Sequence, residues 1–109
     1  MSVEDKLSAF LSKSRDWERR PTSIRGIFLL KLPSSRSRQA SIAIEINPVD
    51  AAGAATKKRG IVIRSASELD QYNNILADQK IIELARRIDE VNPKQKDEVR
   101  TTGSDVFEI

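Results

Sequence analysis

The sequence has no cysteine and no histidine, and its four glycines are scattered. Without cysteine there is no disulfide framework and no thiolate chemistry, and without histidine the commonest neutral-pH base and the commonest metal ligand are both missing. The glycines lie too far apart to form a phosphate-binding loop. These absences weaken most enzymatic interpretations, so we expect no catalytic residues, no bound metal and no cofactor.

Long apolar runs are also absent. No stretch of roughly 18 apolar residues is available to cross a membrane, and the N-terminus has no secretory signal pattern. We therefore expect a cytoplasmic protein. A chain of 109 residues is enough for one modest domain, which we assign to residues 1–93. Residues 94–109 are polar and charged, with few apolar side chains, and this composition predicts a flexible C-terminal tail.

Charge is distributed unevenly along the chain. Residues 1–64 carry 13 basic and 6 acidic side chains, a net charge of +7, whereas residues 65–109 carry 6 basic and 10 acidic ones, a net charge of −4. A cationic half favours a polyanionic partner such as nucleic acid. Ordinary solubilising charge is the alternative interpretation.

Alternating apolar residues predict a strand over residues 39–47. Ile42, Ile44 and Ile46 fall on one side of the strand, because strand side chains alternate between the two faces of a sheet. We expect this side to be buried. Glu45 falls on the other side, which we expect to face solvent.

Two further strands are expected, over residues 24–32 and 57–64. Turn-forming residues at 50–53 allow the chain to reverse between the strands at 39–47 and 57–64. Three consecutive antiparallel strands form a meander. With helices before and after it, the predicted fold is α+β, an antiparallel meander sheet packed with an N-terminal helix and C-terminal helices.

Capping residues mark the predicted helices. Ser2 with Asp5 three residues later is a capping-box pattern, and Ser67 is the N-cap candidate for a second helix. Asp78 either caps a third helix or lies exposed within the second one, and the sequence leaves both possibilities open.

The only tryptophan, Trp17, lies among Arg15, Arg19 and Arg20. Such mixtures are typical of single-stranded nucleic-acid sites, where bases stack on aromatic rings and cations follow the phosphates. In the alternative interpretation Trp17 extends the buried stripe of the N-terminal helix beyond Phe10, and the arginines are simply solvated.

Other cations are grouped before and between the predicted strands. One pair lies in a serine-rich loop, three more directly precede the β-branched run 61–63 of the last strand, and one follows that run. The complete predicted nucleic-acid-binding set is Trp17, Arg15, Arg19, Arg20, Arg36, Arg38, Lys57, Lys58, Arg59 and Arg64.

A heptad-like stripe near the C-terminal end predicts an oligomer interface. Ile81, Leu84, Ile88 and Val91 alternate at spacings of three and four residues, as in a coiled-coil seam. Internal burial of the same stripe against the sheet is the alternative.

Three runs, SIAIEINPVD, TKKRGIVIRSASEL and RRIDEVNP, together resemble the ThermoDBP-related archaeal single-stranded nucleic-acid-binding proteins. The resemblance covers residues 17–93. It implies an antiparallel sheet packed with helices, an apolar cleft flanked by basic residues that takes single-stranded DNA or RNA, and oligomerisation through C-terminal helices.

Two functions therefore remain open at this point. The first is binding of single-stranded DNA or RNA with little sequence preference by a homo-oligomer. The second is an assembly role in which the apolar seam binds another polypeptide and the basic half only maintains solubility.

Overall fold

The computed structural model describes residues 1–93. Its four strands form one antiparallel sheet in the order β1-β2-β3-β4, which confirms the predicted α+β fold. The elements are α1 Val3–Lys13, β1 Arg19–Pro21, β2 Ile27–Leu32, β3 Ser41–Ile46, β4 Ile61–Ile63, α2 Ala66–Leu76 and α3 Gln79–Val91. The predicted tail, 94–109, lies outside the described residues.

The described chain divides after Gln71 into two compact units. The first contains α1, the sheet and the beginning of α2, and the second contains the rest of α2 and α3. No helix within residues 1–93 is both long enough and apolar enough to cross a membrane.

The sheet has one more strand than the sequence pattern predicts. β1 is only three residues long and carries two arginines and a proline, so it shows no apolar alternation. Pro21 lies opposite Phe28 on the edge strand, where the missing amide hydrogen is tolerated. β2 is consequently an interior strand, as its apolar residues on both faces indicate.

The capping box predicted for α1 is confirmed, because Ser2 and Asp5 exchange side-chain to backbone hydrogen bonds. At the other end of α1, the buried Lys31 of β2 donates from Nζ to the carbonyl oxygens of Leu11 (2.7 Å) and Ser14 (3.1 Å). A cation at a helix C-terminus satisfies free carbonyls and complements the helix dipole. This contact fixes α1 to the sheet.

The cap of α2 differs from the prediction. Ser65, rather than Ser67, accepts from the backbone N–H of Glu68 at 3.1 Å, and the Glu68 carboxylate accepts from Arg64 N–H at 2.7 Å. The helix therefore begins two residues early, directly after β4. The possibility left open at Asp78 is resolved, because this residue caps α3 through its side chain.

The most deeply buried face of the sheet is not the one that the sequence pattern predicts. Cross-strand partners place Phe28, Leu30, Leu32, Ala43 and Glu45 together on one face, which we call the Glu45 face. All of these residues are buried, and Glu45 is 0% exposed.

The opposite face, which we call the isoleucine face, carries Ile42, Ile44 and Ile46, and these three residues are only half-buried. The prediction of a solvent-facing Glu45 is therefore wrong. The carboxylate is buried because residues distant in sequence bring donors to it.

Candidate nucleic-acid interface

Trp17 lies in a bulge beside the sheet. Its N–H donates to the carbonyl oxygen of Lys31 at 2.7 Å, and Lys31 N–H donates to the carbonyl oxygen of Glu18 at 2.9 Å. Two residues thus oppose one residue of β2. The bulge lies in a tight turn over residues 15–18, which we call the Trp17 turn, since Glu18 N–H donates to Arg15 O at 3.0 Å and the Glu18 carboxylate accepts from Arg15 N–H at 3.0 Å. Trp17 is therefore a turn residue outside α1, which ends at Lys13.

The backbone of Trp17 is left-handed, with φ of +67°. Glycine is the usual residue at such a bulge position, and a residue with a side chain costs about 1–2 kcal/mol there. Full burial of the side chain does not offset this strain, because the residue is 49% exposed. The interpretation of Trp17 as an extension of the buried helix stripe is therefore wrong. An exposed aromatic ring in a strained backbone is typical of a functional position.

One predicted cation reaches this ring. The guanidinium carbon of Arg59 lies 4.5 Å from the centroid of the Trp17 ring, within the range of a cation–π contact. Arg59 precedes β4 and is far from Trp17 in the sequence. The sheet thus brings together the aromatic and the basic parts of the predicted site.

A partly buried ion pair lies beside this contact. Arg19 donates from Nε to Glu45 Oε1 at 2.7 Å and from Nη2 to Oε2 at 3.0 Å. The guanidinium also lies 5.5 Å from the Phe28 ring centroid, on the same face of the sheet. The Glu45 carboxylate additionally accepts from Gly60 N–H at 2.7 Å. One carboxylate therefore connects β1, β3 and the residues before β4.

The backbone of residues 57–60, which we call the 57–60 loop, is held by this buried group and its neighbours. Asn47, 0% exposed, donates from Nδ2 to Lys57 O at 2.8 Å and accepts at Oδ1 from Lys57 N–H at 3.2 Å. Arg19 Nη2 donates to Lys58 O at 2.7 Å. The loop that carries the three adjacent cations is consequently fixed at Lys57, Lys58 and Gly60.

Gly60 also brings the loop unusually close to β3. A Cβ atom added there would lie 2.2 Å from the carbonyl oxygen of Ile46 and 2.9 Å from Cβ of Asn47. No side chain fits in that space, so glycine is required for the close approach of the two backbones.

The environment of Glu45 acts on its pKa in two directions. Burial raises the pKa, because the charged form loses its hydration, while hydrogen bonds from Arg19, Gly60 and Asn47 lower it. The hydrogen bonds prevail, and the pKa of Glu45 lies below its ordinary value. The carboxylate is therefore charged at neutral pH and forms a true ion pair with Arg19.

Arg20 faces away from this cluster. Its guanidinium carbon lies 5.0 Å from the ring centroid of Phe10 in α1, and its Nη2 donates to Glu18 Oε2 at 3.0 Å. The pKa of Glu18 is lowered, mainly by the backbone N–H of Arg15 and then by the Arg20 side chain. Arg19 and Arg20 are adjacent in β1, so their side chains lie on opposite faces of the sheet.

The remaining predicted cations are dispersed. Arg36 and Arg38 lie in the exposed bend between β2 and β3, and Arg15 lies exposed at the start of the Trp17 turn. Arg64 follows β4 and lines a groove on the isoleucine face. The predicted set is therefore split, and within residues 1–93 Arg59 is the member that contacts the Trp17 ring.

The groove has a volume of about 380 Å³ and lies within the first unit, between α1, the sheet and the start of α2. Its lining is almost entirely apolar, and Arg64 is the charged member. The lining residues are Leu7, Leu29, Ile42, Ala43, Ile44, Ile63, Arg64, Ser65, Ala66 and Leu69.

The four seam residues of α3 are all exposed. Ile81, Leu84, Ile88 and Val91 have exposed fractions of 36%, 59%, 46% and 83%. Within residues 1–93, this apolar stripe is therefore at least partly exposed to solvent.

Sequence reasoning missed the two residues that organise the site, Glu45 and Asn47. The available signal was their spacing, because both lie on the strand face opposite the isoleucines and precede the run Lys57 to Gly60. A carboxylate and an amide at that spacing offer acceptors and donors for a returning backbone.

In the comparisons with known proteins, no family model matches the chain, and no curated protein or solved structure matches it either. A function for this chain is consequently inferred from its own geometry.

Proposed function

We propose that the protein binds single-stranded DNA or RNA with little sequence preference, through the surface around Trp17 and the 57–60 loop. The observation that carries this proposal is the half-exposed Trp17 ring, held in a strained backbone position with the Arg59 guanidinium against it. Aromatic rings accept any base by stacking, worth about 1–3 kcal/mol per base, while adjacent cations neutralise phosphates.

Charge on the loop supports the same partner. Lys57 and Lys58 have exposed side chains while their backbones are held by buried groups. A fixed backbone with free cationic ends suits the contact of a flexible phosphate chain, because only the side chains lose freedom on binding.

The apolar groove is the other candidate surface, since the ThermoDBP resemblance implies an apolar cleft and the groove lining is mostly apolar. We favour the Trp17 surface over it. The groove lining contains a single charged side chain, Arg64, whereas binding of single strands combines stacking rings with several cations.

Self-association through α3 is part of the proposal. Four exposed apolar side chains on one helix face favour a second copy of the helix as the occupant, because seams of this spacing pair with one another. The same exposed stripe also favours the second candidate function, binding of a different polypeptide.

The test is a titration with unlabelled oligo(dT) and oligo(U), monitored by the fluorescence of the single tryptophan. We expect quenching in proportion to occupancy, and an affinity that falls with salt by about 0.7 in log–log slope per phosphate contact. Unchanged fluorescence together with no salt-dependent binding would contradict the proposal and leave the polypeptide-binding alternative.

A further inference from the structure

We propose that Arg59 is a positioning residue of the binding surface, whose guanidinium supports one face of the Trp17 ring and leaves the other face for a nucleobase. This inference rests on the proposed function and deepens it. It assigns to the planar guanidinium of Arg59 the support of the indole ring, which a positive charge alone would not provide.

The backbone is held on both sides of Arg59. Lys58 O accepts a hydrogen bond from Arg19 Nη2, and Gly60 N–H donates one to Glu45 Oε2, each at 2.7 Å. Glu45 is fully buried, so its hydrogen bonds are made in a region of low dielectric constant, where they are stronger than in water. The root of the Arg59 side chain therefore has a defined position relative to the sheet.

The Trp17 ring is held in the same way and stays accessible. The guanidinium occupies one face of the indole at 4.5 Å, yet 49% of Trp17 remains exposed. The backbone N–H of Trp17 is paired with Lys31 O at 2.7 Å, so the root of this side chain also has a defined position. A stacking platform requires one accessible face, and the proposal places that face opposite Arg59.

Magnitudes favour a base on the accessible face over one that displaces Arg59. An exposed cation–π contact is worth about 0.5–1 kcal/mol, and stacking of a base about 1–3 kcal/mol. A base on the accessible face gains its stacking energy and keeps the Arg59 contact, whereas a displacing base forfeits that contact.

Within residues 1–93, the Arg59 guanidinium makes no ion pair, and the Trp17 ring is its contact. A planar guanidinium stacks on an aromatic face, whereas the ammonium of lysine is a compact point charge. Arg59→Lys therefore keeps the charge and removes the stacked support.

The experiment compares the wild-type protein with Arg59→Lys on two probes, oligo(dT) and an abasic strand of the same length. We expect the substitution to weaken oligo(dT) binding by up to about threefold, because without a support the size of an exposed cation–π contact the free ring is less often in its binding orientation, and to weaken abasic binding by a smaller factor. Arg25→Lys is the matched control, since Arg25 is an exposed arginine that contacts Asp50 O, away from the ring. Equal effects of Arg59→Lys on both probes would overturn the inference.

A second measurement follows Arg59 directly. Its δ-methylene protons should show an aromatic ring-current shift that is absent in Trp17→Gly, and this shift should persist when oligo(dT) is bound. Disappearance of the shift on binding would mean that the base displaces Arg59, and would overturn the inference while leaving nucleic-acid binding intact. Absence of any binding by the wild-type protein would remove the proposed function and the inference together.

Discussion

Arg19 and Glu45 are joined by two hydrogen bonds that span the interior strand β2, although 26 residues separate them in sequence. The carboxylate is 0% exposed, and the arginine side chain is 30% exposed. Breaking one partner of such a pair leaves an uncompensated charge, and this penalty exceeds what the intact pair contributes. The pair therefore fixes the relative positions of β1, β3 and the 57–60 loop.

Acid should weaken the fold through Glu45. Its pKa is lower in the folded protein than in the unfolded chain, so its stabilising contribution is present above the unfolded value of about 4.3 and disappears as the pH falls through the folded pKa. We expect the wild-type Tm to decline on acidification below that pH. Glu45→Gln should lower the free energy of unfolding at neutral pH by about 2 kcal/mol, the size of a lost hydrogen bond to a charged group, and its Tm should decline less steeply in acid. Thermal unfolding followed by circular dichroism measures both.

The control for this prediction is Glu90→Gln, because Glu90 is an exposed residue of α3. It should retain the wild-type acid profile. A Glu45→Gln profile parallel to that of the wild type would contradict the assignment of acid sensitivity to the Arg19–Glu45 ion pair.

The left-handed backbone at Trp17 predicts an unusual order of stabilities. Trp17→Gly and Trp17→Ala both remove the ring, but glycine adopts φ of +67° without strain. We expect the glycine variant to be more stable than the alanine variant by about 1 kcal/mol in urea unfolding. The reverse order, which is usual elsewhere in a chain, would be incompatible with the bulge geometry.

Gly60→Ala should be strongly destabilising, because the new Cβ atom would lie 2.2 Å from Ile46 O. We expect the free energy of unfolding to fall by about 3 kcal/mol in chemical denaturation, at the upper end for an added methyl group. Gly53→Ala is the matched control, since nothing lies within 4 Å of its added Cβ and only the backbone strain at φ +88° remains. Similar effects of the two substitutions would show that the loop does not approach β3 so closely.

The two loop lysines should govern the salt dependence of binding. Lys57→Ala combined with Lys58→Ala should reduce the slope of log affinity against log salt by about 0.7 for each lysine that neutralises a phosphate. The loss of affinity should be similar for every oligonucleotide, because phosphate contacts do not read bases. Lys80→Ala combined with Arg86→Ala removes two positive charges from exposed positions of α3 and controls for net charge. Weakened binding to one sequence only would indicate base recognition by these side chains.

The exposed stripe of α3 should control oligomeric state. We expect Ile81→Asp with Ile88→Asp to convert an oligomer to a monomer in sedimentation velocity, since both residues are exposed within the described chain and charge on a coiled-coil seam opposes pairing. Arg86→Asp changes a residue outside the seam and should leave the oligomer intact. Wholesale unfolding of the double variant would instead indicate that the stripe packs within its own subunit.

Local signals in the sequence predicted much of the fold. The capping box at Ser2 and the turn at 50–53 depend on residues a few positions apart, and the structure confirms both. The cap of α2 was assigned two positions too late, because Ser65 and Ser67 are equivalent candidates until the end of β4 is known. β1 was missed because a three-residue edge strand has no periodicity.

The residue types of the candidate site follow from the amino-acid sequence alone: one tryptophan, a surplus of cations before residue 65, and neither cysteine nor histidine. Their arrangement does not. Alternation shows that Ile44 and Glu45 lie on opposite faces of β3, but it does not show which face is covered more deeply. That depends on the tertiary structure, because the donors that make a buried Glu45 stable come from Arg19 and Gly60, which approach it only after the sheet has formed.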